Sequence, residues 1–429
     1  MPRHRAARLT PDAVDPKTIA MSARSTLANA RSPLANRPGA LRFAAMQAIL
    51  DLARHVQQEP QRSDELLRAF LERYSFPLTD ENTATFFYWD RRPVDHVFLV
   101  HWIFGLESHQ PFMRLGDTNA FYLPLELPKS ARVEYKLEIV RGGQRSWVRD
   151  PLNPRQAFDP FGSNSVCPMP GYKDPAWIVP DEGVREGRLE RFTLASEVWG
   201  QSREVTVYLP NEYKRRKKYP LILCHDGSDY LRYAGIKTVL DNLIFRHELA
   251  PVVVAFTDGT VERNREYGAN PKQPKFLVEE VLPAVEQRFG VTNDPKERGL
   301  MGASFGGVST LFTAWQYPGV FSKLLCQSGS FVFTDVGGHG RGPLFDPVVD
   351  FINTFREDPG RVKAKVFMSC GTFESLIYYN RSLAPLMRRA GLDVEFRESQ
   401  DGHNWIAWRN HLREGLSSLF PGHLRMTYD

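Results

Sequence analysis

Cysteine is scarce, four in 429 residues, and four thiols cannot staple a chain of this length, so a disulfide-built scaffold is excluded. Cys224, Cys326 and Cys370 stand in or beside apolar runs, where a free thiol serves as a small buried hydrophobe; the expectation is a reducing compartment, the cytoplasm. No C-x-x-C or H-E-x-x-H spacing occurs, so neither a metal site nor a cofactor is expected. Long apolar runs are also missing. No segment reaches the roughly 18 consecutive apolar residues of a membrane helix, so no membrane partner is expected. Charge of one sign is not in excess either: 55 Lys and Arg against 50 Asp and Glu leave +5, which permits an anionic ligand and makes no demand for nucleic acid. Hydrophobic and charged fractions of 42% and 24% exclude disordered and fibrous classes and leave a globular enzyme-sized chain with room for two cores.

Residues 1–40 are rich in Arg, Ser, Ala and Pro without periodicity. They lack an apolar stretch with a cleavage site, so they are read as a basic, disordered leader rather than a secretory signal, with Met21 as an alternative start. Residues 41–80 carry two amphipathic helical segments, about 41–56 and 63–74. Four short β-branched or aromatic runs follow at near-regular spacing: Thr83–Trp89, His96–Val100, Ala120–Leu125 and Val133–Ile139. They indicate an immunoglobulin-like β-sandwich within 81–180, closing near Trp147 and ending in a Pro/Gly/Asn-rich connector from Leu152 to about Pro180. From 181 to 429 apolar strands alternate with helices, the signature of a parallel sheet covered on both faces. The strands are Val205–Leu209, Pro220–Cys224, Val252–Phe256, Gly299–Gly302, Leu324–Gln327, Lys365–Cys370 and Val394–Arg397; the helices are Leu231–His247, Phe276–Phe289, Val308–Trp315, Ile377–Ala390 and Asn404–Phe420.

The chemistry concentrates in Arg298-Gly-Leu-Met-Gly302-Ala-Ser304-Phe-Gly306-Gly307, an apolar strand running into G-x-S-x-G and then a helix. The two glycines permit a strained strand-to-helix turn that lifts the Ser304 hydroxyl to the sheet edge as a nucleophile. The same turn aims the Phe305 N–H at a developing oxyanion. In such sites the acid and the histidine follow the serine in chain order. Of the four later histidines, His339, His403, His411 and His423, only His403 sits on a glycine-hinged loop after a strand, which makes it the base. Glu374 is the first carboxylate beyond the preceding strand and is the expected third member, with Asp346, Asp350 and Asp401 as rivals. The turn His225-Asp226-Gly227-Ser228-Asp229 offers further N–H groups to an oxyanion. The segment Thr257–Tyr267 gathers Arg263, Arg265 and Glu266 beside the cleft, where paired guanidinium groups suit anionic or catecholate oxygens.

These residues resemble the esterase-D-type branch of α/β-hydrolases, which includes feruloyl esterases, mycolyltransferases and enterobactin esterases. The likeness rests on the Asp226-Gly227 turn, Arg263-x-x-Glu266 ahead of Glu280-Val-Leu-Pro283, Arg298–Gly307, Gln327-Ser-Gly-Ser330 and Gly402-His403. Trp147-x-x-Asp150-Pro-x-Asn153-Pro and Phe161–Ser165 are similar to the domain that precedes the catalytic domain of enterobactin esterases. The resemblance covers about residues 80–425. It implies an α/β-hydrolase fold behind an immunoglobulin-like β-sandwich. It also implies Ser304 as nucleophile and His403 as base, with Glu374 expected from its position as the third member, oxyanion N–H groups from Phe305 and Ser228, and a binding arginine at Arg263, beside which Asp226, Arg265 and Glu266 are expected as substrate contacts. The implied activity is hydrolysis of a small-molecule ester, a ferric siderophore above all, without a cofactor. A feruloyl-type carboxylesterase and a non-catalytic binder on a hydrolase scaffold are the alternatives. Asn404 and His225 depart from the pattern: an acid often follows the histidine, and an apolar residue usually precedes the Asp-Gly turn.

Overall fold

A computed structural model describes residues 44–422; the basic leader and His423 lie outside it. The chain builds three sheets. The first two are antiparallel. One runs in the order β1 (Leu78–Asp80), β2 (Thr83–Trp89), β6 (Ala120–Glu126), β5 (Met113–Arg114). The other runs β4 (His109–Pro111), β3 (His96–His101), β7 (Arg132–Arg141), β10 (Gly162–Pro168), β9 (Gln156–Asp159), with β8 (Gln144–Val148) also on β7. Side chains alternate along each strand. Phe86, Leu99, Phe121, Tyr135, Leu137 and Ile139 therefore meet in one core between the sheets, forming a β-sandwich. Phe87 points the other way, against the helices Ala44–Gln58 and Ser63–Arg73, and joins Ile49, Leu52, Leu67 and Phe70 in a second core.

The motif around Trp147 is architectural. Asp150 accepts from Tyr135 Oη at 2.6 Å, and Asn153 Nδ2 donates to Tyr135 Oη at 2.9 Å and to Val166 O at 2.8 Å. The stretch read as a connector from Leu152 contains β9 and β10, which pair with each other, β10 also pairing onto β7 at Ser165↔Tyr135.

The third sheet has eight strands, β11 (Arg188–Ser196), β12 (Gln201–Leu209), β14 (Val253–Thr257), β13 (Leu221–His225), β15 (Arg298–Ala303), β16 (Lys323–Gln327), β17 (Lys365–Gly371) and β18 (Asp393–Ser399), in that spatial order. The last six run parallel; β11 and β12 are antiparallel. β13, β14 and β15 are buried along their whole length, because helices cover both faces, and this is why they read as continuous apolar runs. This is the α/β-hydrolase arrangement, with its active edge at the C-terminal ends of the strands. The expected helix 231–247 is two, Gly227–Arg232 and Ile236–Phe245, parted where Gly235 takes φ +57°. The expected helix 404–420 is likewise two, Trp405–Asn410 and Leu412–Leu419. Among the described residues no helix is long and apolar enough to cross a membrane. All four cysteines are buried and free.

Candidate active site

Six strand ends supply the site. Ser304 follows β15 and opens the helix Phe305–Gln316 at φ +57°, ψ −121°, a backbone conformation that costs on the order of 1–3 kcal/mol and persists only where its surroundings impose it. The glycines explain the imposition. A Cβ on Gly302 would stand 2.5 Å from the Gly306 carbonyl, and one on Gly306 would stand 3.2 Å from Asp226 Oδ2. The backbone of Ser304 is tied to its neighbour strand, its N–H donating to Gln327 O at 2.9 Å and its carbonyl accepting from Ser330 N at 3.1 Å. Its hydroxyl lies 3.3 Å from Ser330 Oγ.

His403 and Glu374 are brought together. The imidazole Nδ1 is 2.6 Å from Glu374 Oε2, and since a carboxylate only accepts, Nδ1 carries the proton and Nε2 is left as the basic nitrogen. The Glu374 side chain is buried, 1% exposed, while His403 is 37% exposed. Glu374 is held by three donors: Oε1 accepts from Ser328 Oγ at 2.6 Å and Gly371 N at 2.8 Å, with His403 on Oε2. Ser328 in turn accepts from Trp408 Nε1 at 2.9 Å, and the Trp408 ring stands edge-on to His403 with centroids 5.0 Å apart. Ser328 and Trp408 were not among the residues singled out from the sequence, although Ser328 lies inside the Gln327–Ser330 motif. Two of the rivals are engaged elsewhere. Asp346 meets His339 at 2.8 Å, and Asp401 meets Arg132. His411 faces Glu414.

The oxyanion and substrate-binding expectations divide. Phe305 is the first residue of its helix, so its N–H has no intrahelical acceptor and stays available. Ser228 is a correction: its N–H donates to Asp258 Oδ1 at 2.9 Å and its hydroxyl to Asp258 Oδ2 at 2.5 Å, so this donor is already used. Glu266 is a second correction. It is buried against Arg203, at 2.9 and 3.2 Å, and Thr260, where it locks the loop and faces no ligand. The Arg265 side chain is 77% exposed and pairs with Glu262 on the surface. Arg263 and Asp226 form a bidentate pair with both contacts at 2.5 Å, and Arg263 Nη2 also reaches Ala303 O at 3.4 Å. That fork braces the backbone just before Ser304. Beside them His225 is fully buried, with neither ring nitrogen hydrogen-bonded among the described residues, and burial holds its imidazole down to about 3. Asp229, in the same turn, is pushed up to about 6 by burial and by its neighbours Asp226 and Asp258.

Among the described residues no group of acidic, His and Cys side chains could hold a metal. A groove of about 480 Å³ lined by Phe76, Arg155, Met169 and Tyr172 includes none of the residues above.

Residues 196–419, more than half of the chain, match the family described as putative esterase. The chain belongs to this esterase family. It is similar to an iron(III) enterobactin esterase of Escherichia coli O6:H1, 27% identical over 66% of this chain and 71% of that protein. A second relative is the iron(III) enterobactin esterase of Escherichia coli K12, 24% identical over 80% of this chain and 92% of that one. The crystal structure of a ferric enterobactin esterase from Salmonella typhimurium superposes with a TM-score of 0.67 at 20% identity, covering 81% of this chain and 95% of that chain. The family and these relatives make the chain a carboxylic ester hydrolase.

Proposed function

We propose that this esterase opens the ester bonds of a ferric catecholate siderophore of the enterobactin type, with Ser304 as nucleophile, His403 as general base and Glu374 as the acid that orients it. The observation that carries the substrate is the reach of the likeness. Similarity to iron(III) enterobactin esterases extends over more of the chain than the hydrolase sheet alone accounts for. The His403–Glu374 contact at 2.6 Å carries the chemistry.

In the proposed sequence the Ser304 hydroxyl rotates from Ser330 toward His403 Nε2 and gives up its proton as Oγ attacks the ester carbonyl. The carbonyl π electrons move to oxygen, and the oxyanion settles on the Phe305 N–H. Glu374, buried and already accepting three hydrogen bonds, steadies the imidazolium without itself taking a proton. Collapse expels the alcohol, protonated by His403, and leaves an acyl-enzyme that water resolves by the same route. Opening a triserine lactone in this way weakens its hold on iron, a reaction we place inside the cell.

The test is incubation of the full chain with ferric enterobactin and with a panel of aryl esters, product masses being recorded. Lactone opening is expected, and Ser304→Ala and His403→Ala should each lower it by roughly 10⁴–10⁶-fold while leaving the protein folded. A tenth of wild-type turnover in Ser304→Ala would end the nucleophile assignment. Turnover of aryl esters with an intact lactone would replace the siderophore by a simpler ester.

A further inference from the structure

The loop that carries His403 is held from outside the hydrolase sheet. Strand β7 of the sandwich starts at Arg132, whose N–H donates to Gln400 O at 2.9 Å, and Ser130 Oγ donates to Gln400 Oε1 at 2.5 Å. The Arg132 guanidinium is 3% exposed. Its Nη1 donates to both Asp401 oxygens at 3.3 Å and to Asn404 Oδ1 at 3.2 Å, and its Nη2 to Glu134 Oε1 at 2.8 Å. Asp401 and Asn404 flank Gly402 and His403 and bind each other, Asn404 Nδ2 to Asp401 Oδ1 at 2.8 Å. Asn404 Oδ1 also accepts from Ala407 N at 2.9 Å, which starts the helix carrying Trp408. The loop bearing Glu374 is reached as well: Phe104 N, from the sandwich, donates to Phe373 O at 2.8 Å, and Phe373 N donates to Asp401 O at 3.2 Å.

We propose that Arg132 is a positioning residue for the esterase site: from the N-terminal sandwich it fixes the loop Gln400–Asn404 and thereby sets the His403 imidazole between Glu374 and Ser304. The inference rests on the reading of His403 as the base. The physical need is plain. A glycine-hinged loop has no ladder of its own to hold a ring in place, and a displacement of about 1 Å at a reacting group can cost roughly 10²-fold in rate. A planar fork meets the requirement where an ammonium does not, because one guanidinium spans Asp401, Asn404 and Glu134 at once while a lysine supplies a single point charge. Burial pushes the Asp401 carboxyl above the usual carboxylate range, and the Arg132 guanidinium beside it pulls against that.

The test uses the full chain with Arg132→Lys and Arg132→Gln, following kcat and KM for p-nitrophenyl butyrate together with thermal unfolding. Arg141→Gln is the control for general damage to the sandwich, since Arg141 pairs with Asp90 and Tyr88 Oη there. Arg132→Lys should lower kcat about 10²-fold with KM within about twofold, while Arg141→Gln should lower the unfolding temperature and leave kcat alone. In ¹⁵N-histidine spectra of the resting protein, the Nδ1–H signal that His403→Ala removes should shift or broaden in Arg132→Lys and not in Arg141→Gln. Should the arginine variants fail to fold, Asp401→Asn, which keeps the shape and removes the charge, should reproduce the fall in kcat. Wild-type kcat and an unmoved His403 signal in Arg132→Lys, or wild-type kcat in Asp401→Asn where the arginine variants do not fold, would overturn the proposal. Wild-type turnover in His403→Ala would instead remove the base assignment, so the two failures read separately.

Discussion

At the scale of single residues, the surroundings of each carboxylate favour Glu374 as the proposed acid of the site. Glu374 is buried and has all its oxygens committed, to Ser328, Gly371 and His403, whereas Asp346 sits on the surface beside His339. Glu374→Gln keeps the shape but removes the charge that favours the imidazolium, so kcat is expected to fall by roughly 10²–10⁴-fold, less than on loss of the serine. Asp346→Asn should leave kcat unchanged. Steady-state rates of both variants with one aryl ester check this, and the reverse ranking would transfer the role to Asp346. Ser304, His403 and Glu374 could be picked out as candidates because each follows an apolar strand and Ser304 is framed by Gly302 and Gly306. Glu266 was misread because its partner Arg203 lies on β12, and nothing in the spacing of Arg263 and Glu266 reveals a neighbour 63 positions upstream. Ser228 was misread for the same reason, its acceptor Asp258 coming from the end of another strand.

At the scale of elements, the elbow between β15 and the helix Phe305–Gln316 is a tightly constrained joint of the hydrolase sheet. Gly302→Ala would drive a Cβ to 2.5 Å from backbone atoms of Gly306, and backbone cannot yield as a side-chain tip does. The expected result is a destabilisation of roughly 1–3 kcal/mol or more, seen as a lower midpoint in urea, together with loss of turnover as Ser304 is displaced. A variant of wild-type stability and rate would show that the turn is not imposed by these contacts. Central strands were legible to within a residue or two because both of their faces are apolar. β9, β10 and β11 were not. β11 is an edge strand with Arg188 and Arg191 among its exposed positions, and β9 and β10 lie among prolines and glycines, β9 pairing with β10 and β10 with β7, the latter a contact between segments about 30 residues apart. Local propensity carries little information about such pairings.

At the scale of the whole molecule, stability should depend on pH through histidines that are kept neutral by burial, His225 in the hydrolase core at about 3 and His101 in the sandwich at about 4. The unfolded chain protonates an imidazole near 6.5. Below that value the unfolded state binds the proton and the folded state refuses it, so this stabilisation is complete above pH 6.5 and is lost as pH falls toward the folded values. Asp150 and Asp229, raised to about 6 by burial, act in the opposite sense between their unfolded value and 6. A single substitution isolates the histidine term. His225→Leu should make the unfolding free energy fall less steeply than wild type between pH 6.5 and 4.5, as measured by urea titration at each pH. Parallel slopes would mean that His225 titrates freely in the folded state.

The sandwich and the hydrolase sheet also form a matched set, with consequences for inheritance and for engineering. A recombinant that takes its first half from one relative and its second half from another inherits Arg132 and the Asp401–Asn404 loop from different parents. Such a hybrid can fold both halves and still misplace its histidine, so the seam where modules can be exchanged is set by a three-residue lock rather than by the connector between them.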